Sequence, residues 1–344
     1  MPDITIVTSF SALLCGFADC FTGPSFASFR HLMSGWVLCI GQHTVTGLIQ
    51  AAGLVGTKHH SSFHYFFRAA RWDADRVGLV VLGLVLKLVP PFAPIVLAID
   101  DTLARHTGKK ISSAGMHRDP LLSTATKVTY HFGHVWVVLA VVVTVERWNK
   151  SFALPVLMRL YRSVKTCERM SLPHKKKTEL AVDLIRILKE ARPQREVVIV
   201  GDNAFANREV ITKLPAKTTF VGRGPMDAAI NSLPAPREIG EMGRPRVKGK
   251  RLLSPQERAD DPNAPWESVH LNIYGRPATV QVQVFNALWR KSGKGRFLRF
   301  VVIRNWPGHK KDDVLLCTDI TKSARWIIET YCLRWTEEET FKWC

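Results

Sequence analysis

Three acidic residues, Asp100, Asp202 and Glu338, stand in settings where a carboxylate can do more than meet solvent. Asp100 ends the apolar run IVLAID (95–100), and Asp202 follows VVIVG within REVVIVGDNAF (195–205). Both runs have the length and β-branched content of buried strands. In an α/β sheet such strand ends open onto the crevice where ligands bind. Two carboxylates placed there repel each other and lose hydration unless a cation neutralises them. All-oxygen ligands suit Mg²⁺ or Mn²⁺. Two such ions about 4 Å apart can activate an attacking oxygen and stabilise the leaving oxygen of a phosphodiester. The competing reading is structural: Asp100 caps the turn Asp-Asp-Thr and Asp202 caps the helix that follows it.

The third acid belongs to TKSARWIIETYCLRWTEEETFKWC (321–344), which reads as one long helix capped by Ser323 or Thr321. Tyr331, Arg334, Glu338 and Phe341 fall at i, i+3, i+7 and i+10 and so share a face. A tyrosine, an arginine and a glutamate are poor core formers. They suit a helix that carries a carboxylate to a phosphate-binding crevice, with Arg334 contacting phosphate bidentately. The plainer alternative is an amphipathic helix with an i, i+4 Arg–Glu pair. Glu337 and Glu339 point elsewhere on such a helix.

The elements needed to position these acids can be read in outline. Residues 1–90 are mainly helical, and 44–72 contains two helix-like runs about the turn Gly-Leu-Val-Gly-Thr. That is the shape of a helix-turn-helix whose second helix would carry His59, His60, His64, Arg68 and Arg71; it is also a common packing unit. Pro90-Pro91 mark a boundary. Residues 91–223 then read as strand, two strands (127–146, with Gly133 as a turn or bulge), helix, strand, helix, strand. This is a mixed sheet covered by helices. Residues 224–317 hold a Pro/Gly-rich basic loop followed by alternating strands, a β-rich insertion. Residues 318–344 form the C-terminal helix. The fold class is α/β.

Charge supports a polyanionic partner. Lys and Arg number 48 against 29 Asp and Glu, a formal net charge of +19, and neutralising phosphates releases their counterions. Arg244, Arg246, Lys248, Lys250 and Arg251 form a candidate phosphate track; a charge run is as readily a solvated loop. Lys109 and Lys110 lie near the acids or are simply exposed, and Trp266, Trp289 and Trp306 read first as core residues. The seven cysteines include no CxxC pair, which fits reduced thiols and gives no structural zinc site. The N-terminus lacks a basic n-region, and the apolar runs at 78–86 and 135–143 are too short to span a bilayer. A cytosolic protein with no membrane partner is expected.

The stretches AIDDTLARHTGKKI, VVIVGDNAFAN and YCLRWTEEETF, in that order, resemble the DDE transposases of bacterial insertion sequences with a Tyr-x2-Arg-x3-Glu-x6-Lys signature. Tyr331, Arg334 and Glu338 keep the signature's spacing, and the resemblance covers roughly residues 30–344. Its lysine would fall one residue beyond Cys344, so the chain reads as C-terminally truncated. The resemblance implies an RNase H-like domain in which Asp100, Asp202 and Glu338 ligate two Mg²⁺ ions, with Mn²⁺ as a substitute and Asp101 as the alternative to Asp100. It implies cleavage at the terminal inverted repeats, joining of the freed 3′-OH to target DNA, a dimer on paired ends, and a place at the nucleoid of the bacterial cytosol. DNA contacts would include Tyr331, Arg334 and the basic loop. A truncated, inactive remnant that binds inverted-repeat DNA and another RNase H-like nuclease are the alternatives.

Overall fold

A computed structural model describes residues 4–108, 110–124, 126–236, 242–289, 296–309 and 311–343. The chain divides into two compact units, Met1–Leu84 and Val85–Cys344. The first unit ends shortly before the proline pair that marked the boundary in sequence.

The N-terminal unit is helical: α1 (Ile4–Cys15), α2 (Gly23–Leu38), α3 (Val45–Ala51), α4 (His60–Arg68) and most of α5 (Ala74–Val85). Its core joins Leu14, Phe17, Phe29, Leu32, Leu48, Ile49, Phe63 and Phe66. The expected helix pair is α3 and α4, separated by a loop in which Gly53 and Gly56 take positive φ, a conformation that favours glycine. Phe63 and Phe66 bury one face of α4, while His60, His64 and Arg68 are exposed on the other. His59 sits at the N-cap and accepts from the Ser61 amide. Arg71 follows the helix and is exposed.

The second unit is built on β1 (Ile95–Arg105), β2 (Gly115–Arg118), β3 (Tyr130–Val145), β4 (Lys150–Tyr161), β5 (Val197–Gly201), β6 (Thr218–Arg223), β7 (Ile230–Asn231), β8 (Glu267–Ile273), β9 (Arg276–Trp289), β10 (Phe297–Arg304) and β11 (Asp313–Cys317). Its helices are α6 (Val164–Met170), α7 (Lys177–Ala191), α8 (Arg208–Thr212), α9 (Pro255–Asp260), α10 (Ala324–Cys332) and α11 (Trp335–Trp343). Among the described residues all the strands join one sheet, in the order β2-β3-β1-β5-β6-β11-β10-β9-β7, with β4 on β3 and β8 on β9. β1, β3 and β4 are antiparallel neighbours, whereas β5 pairs in parallel with both β1 and β6. This is the mixed sheet with flanking helices that an RNase H-like fold requires. The β-rich segment continues it, because β11 pairs with β6, Leu316 opposite Gly222.

Two sequence expectations need correction. The apolar stretch around 127–146 is not a pair of strands: β3 runs unbroken from Tyr130 to Val145. Gly133 lies inside it, opposite both Arg105 of β1 and Gly115 of β2. A Cβ at Gly133 would collide with the Ala104 backbone, so glycine permits a close crossing rather than a turn. The C-terminal segment is not one helix either. It breaks between α10 and α11 at Leu333–Arg334, where Leu333, Arg334, Thr336 and Glu337 each donate to the carbonyl three residues back.

Alternation along β1 and β5 assigns the sheet faces. Ala98, Val198 and Val200 pack in one cluster with Ile327, Ile328 and Cys332 of α10. Ser323 caps α10, as expected, accepting from the Trp326 amide. Leu97, Ile99, Val197 and Ile199 point to the other face and are fully or almost fully buried. Gly133→Val should destabilise the protein by about 1–3 kcal/mol, the usual cost of overpacking. Denaturant unfolding measures it, and a variant as stable as wild type would refute the close crossing.

Candidate active site

Parity carries the two aspartates to the same place. Asp100 shares the face of Ala98, and Asp202 that of Val198 and Val200, so both lie on the side covered by α10. The parallel register of β1 and β5 ends at Ile99 opposite Gly201, which sets Asp100 and Asp202 side by side. Beyond that point β5 stops and β1 continues to Arg105. Asp100 is therefore not at a strand end, as its sequence suggested, but in mid-strand where the neighbouring strand has ended. The crevice opens because the partner is missing there.

Among the described residues Asp100 holds no turn and Asp202 caps no helix, although Asp202 does hold the turn after β5. Asp100 Oδ1 accepts only its neighbour's amide, that of Asp101, at 2.8 Å among the described residues. Asp202 Oδ1 accepts from the amides of Ala204 and Phe205, holding the turn after β5, and α8 is capped by Asn207 instead. Asp101 points to the opposite face, where Lys177 of α7 binds it at 2.7 Å. Sequence reasoning did not single out Lys177; nothing in the run Lys175-Lys176-Lys177 tells which lysine reaches β1.

The C-terminal elements close the site. Arg334, its side chain only 14% exposed, places Nη1 3.3 Å from Asp100 Oδ2 and Nη2 2.6 Å from Glu338 Oε1. Its guanidinium lies 5.8 Å from the ring centre of Tyr331, which packs edge-on to the buried Trp306. Glu338, which the spacing selected, is thus within one arginine of Asp100. Glu337 lies deeper than the regular-helix reading allowed: it is completely buried, and among the described residues neither carboxylate oxygen has a hydrogen-bond partner. The physical reason is the tightened turn before it. Three-residue turns advance each residue by about 120° rather than about 100°, so a few of them rotate the following glutamates by about one position. A helix-face projection cannot register that slip.

Electrostatics register the crowding. Burial, then the charge of Asp202, pushes Asp100 up to about 7. Burial raises Asp202 as well. Glu337 is raised well above the ordinary carboxylate range, by burial first and then by Asp100. Arg334 is held more firmly protonated than an ordinary arginine, because the charges of Tyr331, Glu338 and Asp100 outweigh its burial.

The other candidates lie elsewhere. Arg244, Arg246, Lys248, Lys250 and Arg251 are all exposed in the segment between β7 and α9. Its base is fixed by Gly249 and Lys250 pairing with Ser232, and Arg251 also meets Glu257. β7 lies five strand positions from β5, roughly 25 Å at the usual strand spacing. Trp289 and Trp306 are core residues, and Trp266 is covered by the Arg304 guanidinium at 4.1 Å. Lys110 is exposed, and Lys109 is outside the described residues.

Among the described residues no three His, Cys, Asp or Glu side chains stand close enough together to grip an ion as they lie. Arg334 instead stands between Asp100 and Glu338. The donor set nonetheless fits a hard divalent cation in kind: carboxylate oxygens that repel one another, together with a buried glutamate whose oxygens are unpartnered. Without a cation, the folded protein keeps the Asp100 proton up to about pH 7, while the unfolded chain releases it near pH ~4. Stability should therefore fall as pH rises across that interval, and Asp202 and Glu337 act in the same sense. Melting temperatures in EDTA should decline from pH 5 to 7.5 more steeply for wild type than for Asp100→Asn. Parallel profiles would contradict the assignment.

No curated protein matches the chain. A family profile described as DDE superfamily endonuclease matches residues 16–296, a span that includes Asp100 and Asp202. Nucleases of that kind act on DNA and typically use divalent metal ions, in keeping with paired aspartates on one sheet face beneath an arginine. No helix among the described residues is long and apolar enough to cross a membrane. By the extent of that match, the chain belongs to the DDE superfamily endonuclease family.

Proposed function

We propose that the chain is the transposase of a bacterial insertion sequence, a nuclease that cuts at terminal inverted repeats and joins the freed ends to target DNA in the cytoplasm. The observation that carries this reading is Asp100 beside Asp202 on the face to which Arg334 also brings Glu338. Asp100, Asp202 and Glu338 would hold two Mg²⁺ ions, with Mn²⁺ as a substitute. Bound there, the ions lower the cost of forming the attacking oxygen and stabilise the leaving one. Asp101 is the weaker candidate, since Lys177 neutralises it on the other face.

The protein's own groups supply position and charge. Arg334 has a rigid fork of donors suited to a phosphate. Its half-buried partner Tyr331 limits the directions it can take. When DNA enters, a phosphate can take over the guanidinium from Asp100 and Glu338, leaving both carboxylates free for cations. Water oxygen attacks phosphorus at the element's end and the 3′ oxygen leaves as a hydroxyl. That hydroxyl then attacks a target phosphodiester, forming one P–O bond as another breaks. The exposed basic residues Arg244, Arg246, Lys248, Lys250 and Arg251 contact DNA away from the cut, and two subunits hold the paired ends.

A supercoiled plasmid carrying the DNA that flanks the coding region tests the reading. With Mg²⁺, strand cleavage and joined products are expected. Asp202→Asn should abolish both while retaining binding to the end DNA in a mobility-shift assay. Cleavage without joining would favour a plain RNase H-like nuclease, and cleavage retained in Asp202→Asn would overturn the site.

A further inference from the structure

Other buried acids of the second unit are provided for. Asp119 receives the amides of Leu121 and Leu122 and faces Arg105 and His131. Asp313 faces Arg223 and His309. Glu337 is as deeply buried, yet among the described residues it receives nothing. Arg334 acts on it only through space: its Nη groups go to Asp100 and Glu338, and no hydrogen bond joins it to Glu337. A buried carboxylate left in this condition costs the fold free energy whether charged or neutral, since even the acid form needs a partner for its hydroxyl.

Position says what would relieve it. One turn further along α11, Thr340 donates to the carbonyl of Ala153 on β4 at 2.8 Å, so this face of α11 lies against the sheet. Glu337 shares that face at i−3. From the same helix start, Arg334 touches Asp100 on β1. Glu337 is therefore enclosed between α11 and the strands that carry the site.

We propose that Glu337 is a fourth carboxylate of the metal site, a ligand to the divalent cation seated at Asp100. The inference rests on the metal-dependent reading given above and adds a residue that the Tyr-Arg-Glu spacing passes over. Three acids leave a pair of divalent ions with one positive charge uncompensated, and Glu337 balances it. A buried carboxylate that accepts no hydrogen bond has a lone pair free for coordination, and carboxylate oxygen is the ligand type that Mg²⁺ and Mn²⁺ prefer.

Isothermal titration of the full chain with Mn²⁺, without DNA, tests this. Glu337→Gln is expected to weaken binding by about tenfold or more, or to remove one ion from the stoichiometry. At alkaline pH its metal-free melting temperature should equal or exceed that of wild type, because the amide carries no charge to be buried. If that variant does not fold, Glu337→Asp keeps the charge and withdraws the oxygens by one methylene, and it should bind Mn²⁺ more weakly. Wild-type titration curves for the folded Glu337 variant would overturn the proposal. Asp202→Asn separates the two levels. If it loses Mn²⁺ while Glu337→Gln does not, only the fourth ligand falls. If it binds as wild type, or if wild type itself takes up no Mn²⁺, the metal site as a whole is refuted.

Discussion

Like charges gathered on an apolar face govern this molecule. Asp100 and Asp202 stand together because β1 and β5 pair in parallel up to Ile99 and Gly201 and then part. Burial, then the charge of Asp202, raises the affinity of Asp100 for a proton, and burial raises that of Asp202. Arg334 offsets part of that repulsion by bridging Asp100 and Glu338. Unneutralised, the arrangement costs stability, and on the proposed reading a bound cation would relieve that cost.

The sheet makes this tolerable. Its inner strands are apolar on both faces, with α7 packed on one side and α10 on the other. Such a frame holds backbone positions with little freedom, since a displaced strand would lose packing on both faces. β11, β10 and β9 widen the frame beyond β6, so β7, which the basic segment follows, lies roughly 25 Å from β5 across the sheet. Distance of that order suits a protein that grips a long polyanion while acting at one phosphate. On the proposed function, contacts away from the cut would give affinity, and those at the crevice chemistry.

In the structure Arg334 bridges Asp100 and Glu338. The proposed role in holding a phosphate competes with that bridge, because one planar guanidinium cannot serve both fully. On that proposal, DNA entry would free the acids through a side-chain movement alone.

Much of this was legible in the residues alone. Apolar runs ending in Asp100 and Asp202 gave two strands of the site, because period and composition are local properties. Net charge pointed to a polyanion, and Ser323 announced the start of α10. The helix pair at 44–72 could be read from its glycine turn. Tertiary structure decided the rest. Gly133 is needed where β1 and β2 flank β3 closely, a contact between residues distant in sequence. Lys177 reaches Asp101 across 76 positions, and no local pattern distinguishes it from its neighbours. Glu337 turns inward because the chain tightens at Leu333–Arg334, where α11 must meet β1 and β4. Three consecutive glutamates are equivalent to a periodicity argument until packing fixes their rotation. The sequence by itself determined which kinds of residue could hold a metal and bind DNA. Which of them face one another was decided by strand register and helix phase, which exist only once the sheet has formed.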